Sequence, residues 1–133
     1  MAQFKFNGVE LPVAMADADF MDRYAAAFAG MQETLLAYDW EDKSISYPAK
    51  LRTYCKAFQA LFDNIYGVGT SETLFGEACN AEACEDAFLE FCGAAEAEMQ
   101  RSTDRRIDMA EKLTSMTARL NARAEQLRNE TAV

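Results

Sequence analysis

The apolar positions of this chain settle into one long register toward its C-terminal end. From about Asn80 onward, Phe88, Cys92, Ala95, Met99, Ser102, Arg106, Met109, Leu113, Met116, Leu120, Arg123 and Leu127 recur at alternating steps of four and three. That spacing is the seam of a coiled coil. Only Ser102, Arg106 and Arg123 break its apolar character. The run holds no proline, and its one glycine, Gly93, weakens a helix without ending it. At roughly 1.5 Å per residue, about fifty residues make a rod on the order of 75 Å long, whereas a compact domain of this size has a radius of gyration of roughly 14 Å. The pattern therefore predicts a helix whose far end folds back or meets a partner.

The start of the chain carries a different period. Phe4, Phe6, Val9 and Leu11 flank Asn7-Gly8, the preferred pair for a two-residue type I′ hairpin, in which both positions take positive φ. In that register Phe6 faces Val9 and Phe4 faces Leu11 on one side, and Lys5 faces Glu10 on the other. A lone hairpin is marginal in water, so the greasy side is expected to rest on helices. The alternative use of the ribbon is strand addition to a partner through an open edge.

Asp17 or Asp19 caps a helix with apolar positions Phe20, Tyr24, Phe28, Met31, Leu35 and Tyr38. The polar stretch from Asp39 to Tyr47, which holds Trp40, reads as a loop. Pro48 suits the first turn of a second helix carrying Leu51, Tyr54, Cys55, Phe58, Leu61, Phe62 and Ile65, and Gly67 and Gly69 stop it. Thr70 or Ser71 opens a short helical turn closed by Gly76, and Asn80 caps the long helix. The expected architecture is mainly α: an N-terminal β-hairpin plus a bundle of about three main helices, the last long and prone to coiled-coil pairing. Hairpin and helical core occupy 1–100, and an extended helical arm occupies 101–133.

Charge narrows the range of partners. The 133 residues carry a net charge of −9, which disfavours nucleic acid, where counterion release needs clustered Lys and Arg, and anionic membranes for the same reason. No apolar run approaches the roughly 18 residues of a membrane span, and the N-terminus lacks a signal pattern. A cytoplasmic location is the expectation. The charge is also uneven. Ser71 to Gln100 holds eight acids and no base, whereas from Arg101 onward seven bases face five acids. One reading is an acidic solvated face followed by a helix laced with ion pairs; the other is a basic tail that docks on an acidic surface.

Catalytic chemistry is not legible. There is no histidine to serve as a near-neutral base in a Ser or Cys triad, and no phosphate-binding glycine motif. Cys55, Cys79, Cys84 and Cys92 contain no CxxC pair, and their spacing does not match the usual zinc knuckles. We therefore expect no enzyme activity, no cofactor and no metal. The best functional clue is the outer seam. Met109, Leu113, Met116 and Leu120 would supply apolar contacts to a protein partner, Arg105, Arg106 and Arg119 would orient it, and Trp40, beside Tyr38 and Tyr47, is the aromatic to watch as an exposed contact. Pairing with a second copy through this helix is expected as well.

Two stretches carry a resemblance. Phe4-Lys5-Phe6-Asn7-Gly8-Val9-Glu10-Leu11 followed by Asp17-Ala18-Asp19 and Tyr24 resembles the start of a family of small phage and prophage proteins of unassigned function. Gly69-Thr70-Ser71-Glu72-Thr73-Leu74-Phe75-Gly76, then Cys84-Glu85-Asp86-Ala87-Phe88 and Phe91, looks like that family's middle. Members tend to lie among tail and morphogenesis genes. The resemblance thus implies an accessory role in tail assembly, similar to the small tail assembly chaperones, with a phage tail component as partner and no functional residues to carry over. A small regulator or inhibitor of a host protein is the alternative.

Overall fold

A computed structural model describes residues 3–131. In chain order it consists of β1 (Gln3–Phe6), β2 (Val9–Pro12), α1 (Ala18–Ala37), α2 (Tyr47–Tyr66), α3 (Thr70–Phe75) and α4 (Ala81–Thr131). The fold is mainly α with an N-terminal hairpin, as the periodicity predicts. The chain divides into two compact units, Met1–Met99 and Gln100–Val133.

The hairpin forms in the expected register, with Phe4 opposite Leu11, Lys5 opposite Glu10 and Phe6 opposite Val9. Asn7 and Gly8 take φ of 54° and 78°, the two positive values a type I′ turn requires. On the outer side Lys5 Nζ lies 3.5 Å from a Glu10 carboxylate oxygen. On the inner side Phe4 is buried, and Asn7 Nδ2 donates to the Leu74 carbonyl at 3.2 Å, tying the turn to α3.

Each helix begins and ends for a local reason. The Asp17 side chain accepts from the Asp19 amide and starts α1, and Ser46 accepts from the Ala49 amide and starts α2, with Pro48 in the first turn. Both spare an amide that has no partner inside the helix. Gly67 ends α2 at φ 115°, where a side chain would be strained. Its neighbour Asp63 accepts from both the amide and the hydroxyl of Ser71, at 2.8 and 2.9 Å, so one carboxylate clamps the first turn of α3 to the last turn of α2. The Asn80 side chain caps α4 through the Ala83 amide.

The core of the first unit is aromatic. Phe4, Phe20, Phe62 and Phe91 are buried, with Leu61, Ile65, Leu74, Ala87 and Ala95 around them, and Tyr24, Phe28 and Phe88 close the cluster from α1 and α4. Burial of each such ring is worth about 1.5–3 kcal/mol. Two polar ties cross the core's edge: Arg23 Nε donates to the Ile65 carbonyl at 3.0 Å, and the Tyr66 hydroxyl donates to the Pro12 carbonyl at 2.7 Å. The arginine thereby satisfies a carbonyl in the last turn of α2, where the helix end carries partial negative charge.

The face that α4 turns to this core corrects the seam read from sequence. The buried positions are Cys84, Ala87, Phe91, Ala95 and Glu98. Phe88 and Cys92 are half-buried and Met99 is exposed, so over this stretch the seam sits one residue earlier than expected at three of its positions. Phe91, not Cys92, fills the centre, because that ring meets Phe4, Phe28 and Phe62 at centroid distances of 5.5, 6.3 and 5.7 Å.

Candidate interaction surface

In the second unit, a helical pattern of steps four and three continues where burial stops. Every described residue from Thr103 to Thr131 is exposed. Met109, Leu113, Met116, Leu120 and Leu127 are between 45% and 67% accessible, and their spacing puts all five on one stripe. All five are seam positions expected from sequence, and the first four are the apolar contacts named there for a partner. Written as a heptad, Leu113, Leu120 and Leu127 occupy a and Met109 and Met116 occupy d.

The flanks of the stripe differ in chemistry. On one side, position g carries Arg105, Lys112, Arg119 and Gln126; on the other, position e carries Thr103, Ala110, Thr117, Ala124 and Thr131. One flank is basic, the other small and uncharged. The acids Asp104, Asp108, Glu111 and Glu125 fall at c and f, away from the stripe. There they serve the helix itself: Lys112 Nζ reaches Asp108 at 3.1 Å across one turn, and Gln100 donates to Asp104, contacts worth a few tenths of a kcal/mol each. Arg106, at an a position just before Met109, donates from Nη1 to the Ser102 carbonyl at 2.8 Å. Arg123, at d, donates to the Gln126 side chain at 3.3 Å. The apolar stretch is thus bounded by one arginine and interrupted by another. Ile107 is exposed outside the stripe, a position the seam did not include.

Trp40 lies elsewhere and is turned inward. Its Nε1 donates to the Leu35 carbonyl at 3.0 Å, and its ring leans on Tyr38 and Tyr54 at 4.3 and 5.8 Å between centroids. The half-buried indole seals the end of α1 against α2, and only part of it faces solvent. Trp40 belongs to the first unit, and the methionines, leucines and arginines of the stripe belong to the second.

The thiols show where chemistry is damped. Cys55 and Cys84 are fully buried in a small cluster with Phe58, roofed by Tyr54, Phe75 and Phe88. Burial raises the Cys55 thiol above its usual range and pushes that of Cys84 up to about 12, which keeps both protonated and poor nucleophiles. The Tyr54 hydroxyl, donating to Glu85 at 2.6 Å, is likewise pushed up to about 12, first by burial and then by that bond. Cys79 is exposed. Among the described residues, no group of three metal-binding side chains converges. A groove between α1 and α2, about 380 Å³, is lined by Gly30, Met31, Thr34, Thr53, Ala57 and Leu61 among others, with no acid or thiol. Among the described residues, no helix is long and apolar enough to cross a membrane.

The model of a family of unknown function (DUF6673) matches residues 7–131, and the chain belongs to that family. No curated protein and no solved structure matches it.

Proposed function

We propose that this member of a family of unknown function is a non-enzymatic interaction protein that binds another protein through the stripe on the C-terminal part of α4. Its setting in this reading is the cytoplasm of a bacterial host, as a phage or prophage accessory protein in tail assembly. The observation that carries it is the exposed row Met109, Leu113, Met116, Leu120 and Leu127. Five large apolar side chains aligned for more than two heptads make a stripe that water-facing helices do not normally keep bare, and methionines let such a stripe adapt to its partner. Arg105 and Arg119 on one flank orient an acidic partner helix, with Arg106 at the end of the stripe. Shielding an assembly-prone tail component, as a small chaperone does, is the work this surface suits.

The test is capture from phage-producing cells with the tagged chain, read by mass spectrometry. Wild type is expected to retain a virion component, and a Leu113→Asp/Leu120→Asp variant to lose it. Recovery of no virion protein, or equal recovery by both chains, overturns the assembly role. Recovery of a host protein instead, lost with the same variant, favours the regulator of a host protein over the tail accessory.

A further inference from the structure

The arrangement of charge along the arm says more than that it binds something. We infer that the segment from Arg106 to Glu130 pairs with the same segment of a second copy as an antiparallel, two-fold coiled coil. This rests on the reading of the stripe as a binding surface and says what covers it before another helix does.

Two identical stripes can meet in parallel or antiparallel. In a parallel pair each a and d residue faces itself, so Arg106 would face Arg106 and Arg123 would face Arg123 inside the seam, two like-charge layers in the driest part of the contact. In an antiparallel pair a faces d, and the registers differ in what they oppose. Centring the contact between Leu113 and Met116 brings Arg106 against the partner's Arg123 at both ends. Moving it by half a heptad, to centre between Met116 and Leu120, removes that clash. Met109 then meets the partner's Leu127, and Met116 meets the partner's Leu120. Leu113 meets the stem of the partner's Arg123, whose head reaches solvent, and Arg106 meets the partner's Glu130. The only acid on the seam and the arginine that bounds it are brought together twice by one two-fold axis.

The flanks agree with this register. In antiparallel pairs e lies against e and g against g. The small side packs Ala110 against the partner's Ala124 and Thr117 against the partner's Thr117, allowing close approach of the two backbones. The basic side brings Arg119 near the partner's Arg119 at the axis, the one like-charge contact left, on the wet rim where it costs least. Buried area is on the order of 1,000 Å² in total, at the low end for a specific interface, which suits a dimer that forms at micromolar concentration and can exchange for another helix.

Sedimentation equilibrium on the full chain tests it. Arg106→Glu and Glu130→Arg are each expected to weaken dimerisation roughly tenfold by replacing two attractive pairs with two repulsive ones, and the double swap to restore it. Arg119→Gln is expected to tighten the dimer. In a Cys79→Ser background with glutathione disulfide as oxidant, Thr117→Cys should cross-link rapidly and Met109→Cys should not. A chain monomeric at about 100 μM, faster cross-linking at Met109→Cys, or no rescue by the double swap overturns the pairing. A monomer that still captures a virion protein, and loses it with Leu113→Asp/Leu120→Asp, removes the self-pairing alone; a dimer that captures nothing removes the assembly role alone.

Discussion

The ring of Phe4 in the first strand lies 5.5 Å from that of Phe62 in α2 with only 8° between their planes, and meets Phe91 of α4 edge-on at the same distance and 88°. One residue of the hairpin is therefore wedged between two helices of the bundle. A two-stranded ribbon has too little surface to hold itself together in water, and this buried ring anchors it in the core, beside the bonds of Asn7 to Leu74 and of Tyr66 to Pro12.

Replacing that ring exposes the dependence. Phe4→Ala is expected to cost about 3–5 kcal/mol of stability, the usual range for a buried phenylalanine. Phe6→Ala, at a half-buried position, should cost clearly less. Urea unfolding followed by near-ultraviolet circular dichroism measures both, and equal losses would contradict the wedge.

Trp40 should matter to stability through its nitrogen as well as its ring. Trp40→Phe keeps an aromatic beside Tyr38 and Tyr54 but removes the bond to the Leu35 carbonyl, at an expected cost of about 1–2 kcal/mol including the loss of bulk. A variant as stable as wild type would mean that water replaces the indole at no cost.

The thiols give a prediction with a sign. Cys84 is held neutral in the folded chain, with its pKa raised from 9.0 to about 12, so the stability this burial supplies is complete below the unfolded value and is lost as pH rises from about 9 toward about 12. At neutral pH a thiol reagent should modify Cys79 quickly and reach Cys55 and Cys84 only at the rate of unfolding; Cys84→Ala should flatten the alkaline part of the stability profile. Prompt labelling of all four cysteines in the native chain would contradict the burial.

The arm should be expendable to the core. Because Leu113 and Leu120 are exposed, Leu113→Asp/Leu120→Asp is expected to leave the melting of the aromatic cluster within about 0.5 kcal/mol of wild type at low protein concentration. Far-ultraviolet and near-ultraviolet melts recorded together check it, and a large loss in the near-ultraviolet transition would show the arm to be part of the core.

The hairpin and helix ends could be read from single residues because their causes are local: Asn7-Gly8 dictates the turn, Asp17, Ser46 and Asn80 offer side-chain caps, and Gly67 and Gly76 accept conformations other residues resist. The face of α4 toward the core could not. Phe91-Cys92 and Ala94-Ala95 are apolar neighbours that satisfy two adjacent registers equally well. The correct one runs through Glu98, a charged residue that pattern rules reject but that is buried here with its polar atoms satisfied. A straight helix also drifts by about 20° per heptad from a strict seven-residue repeat, so a seam fitted over the whole length cannot hold at both ends. Arg23 and Asp63 were invisible for another reason: their acceptor and donor, the Ile65 carbonyl and Ser71, are brought near only by the turn that ends α2 and the crossing of α1. The outer stripe is legible because its steps of four and three run on unbroken where burial stops, and the inward bond of Trp40 is not, because its acceptor is a backbone carbonyl, which no sequence pattern marks.

Sedimentation velocity across a concentration series, with wild type beside Leu113→Asp/Leu120→Asp, tests most directly whether the stripe on α4 pairs with that of a second copy. The account predicts that the wild-type sedimentation coefficient rises with concentration toward that of a dimer while the variant stays at the monomer value with the same helicity. Two chains that sediment alike at every concentration would contradict it.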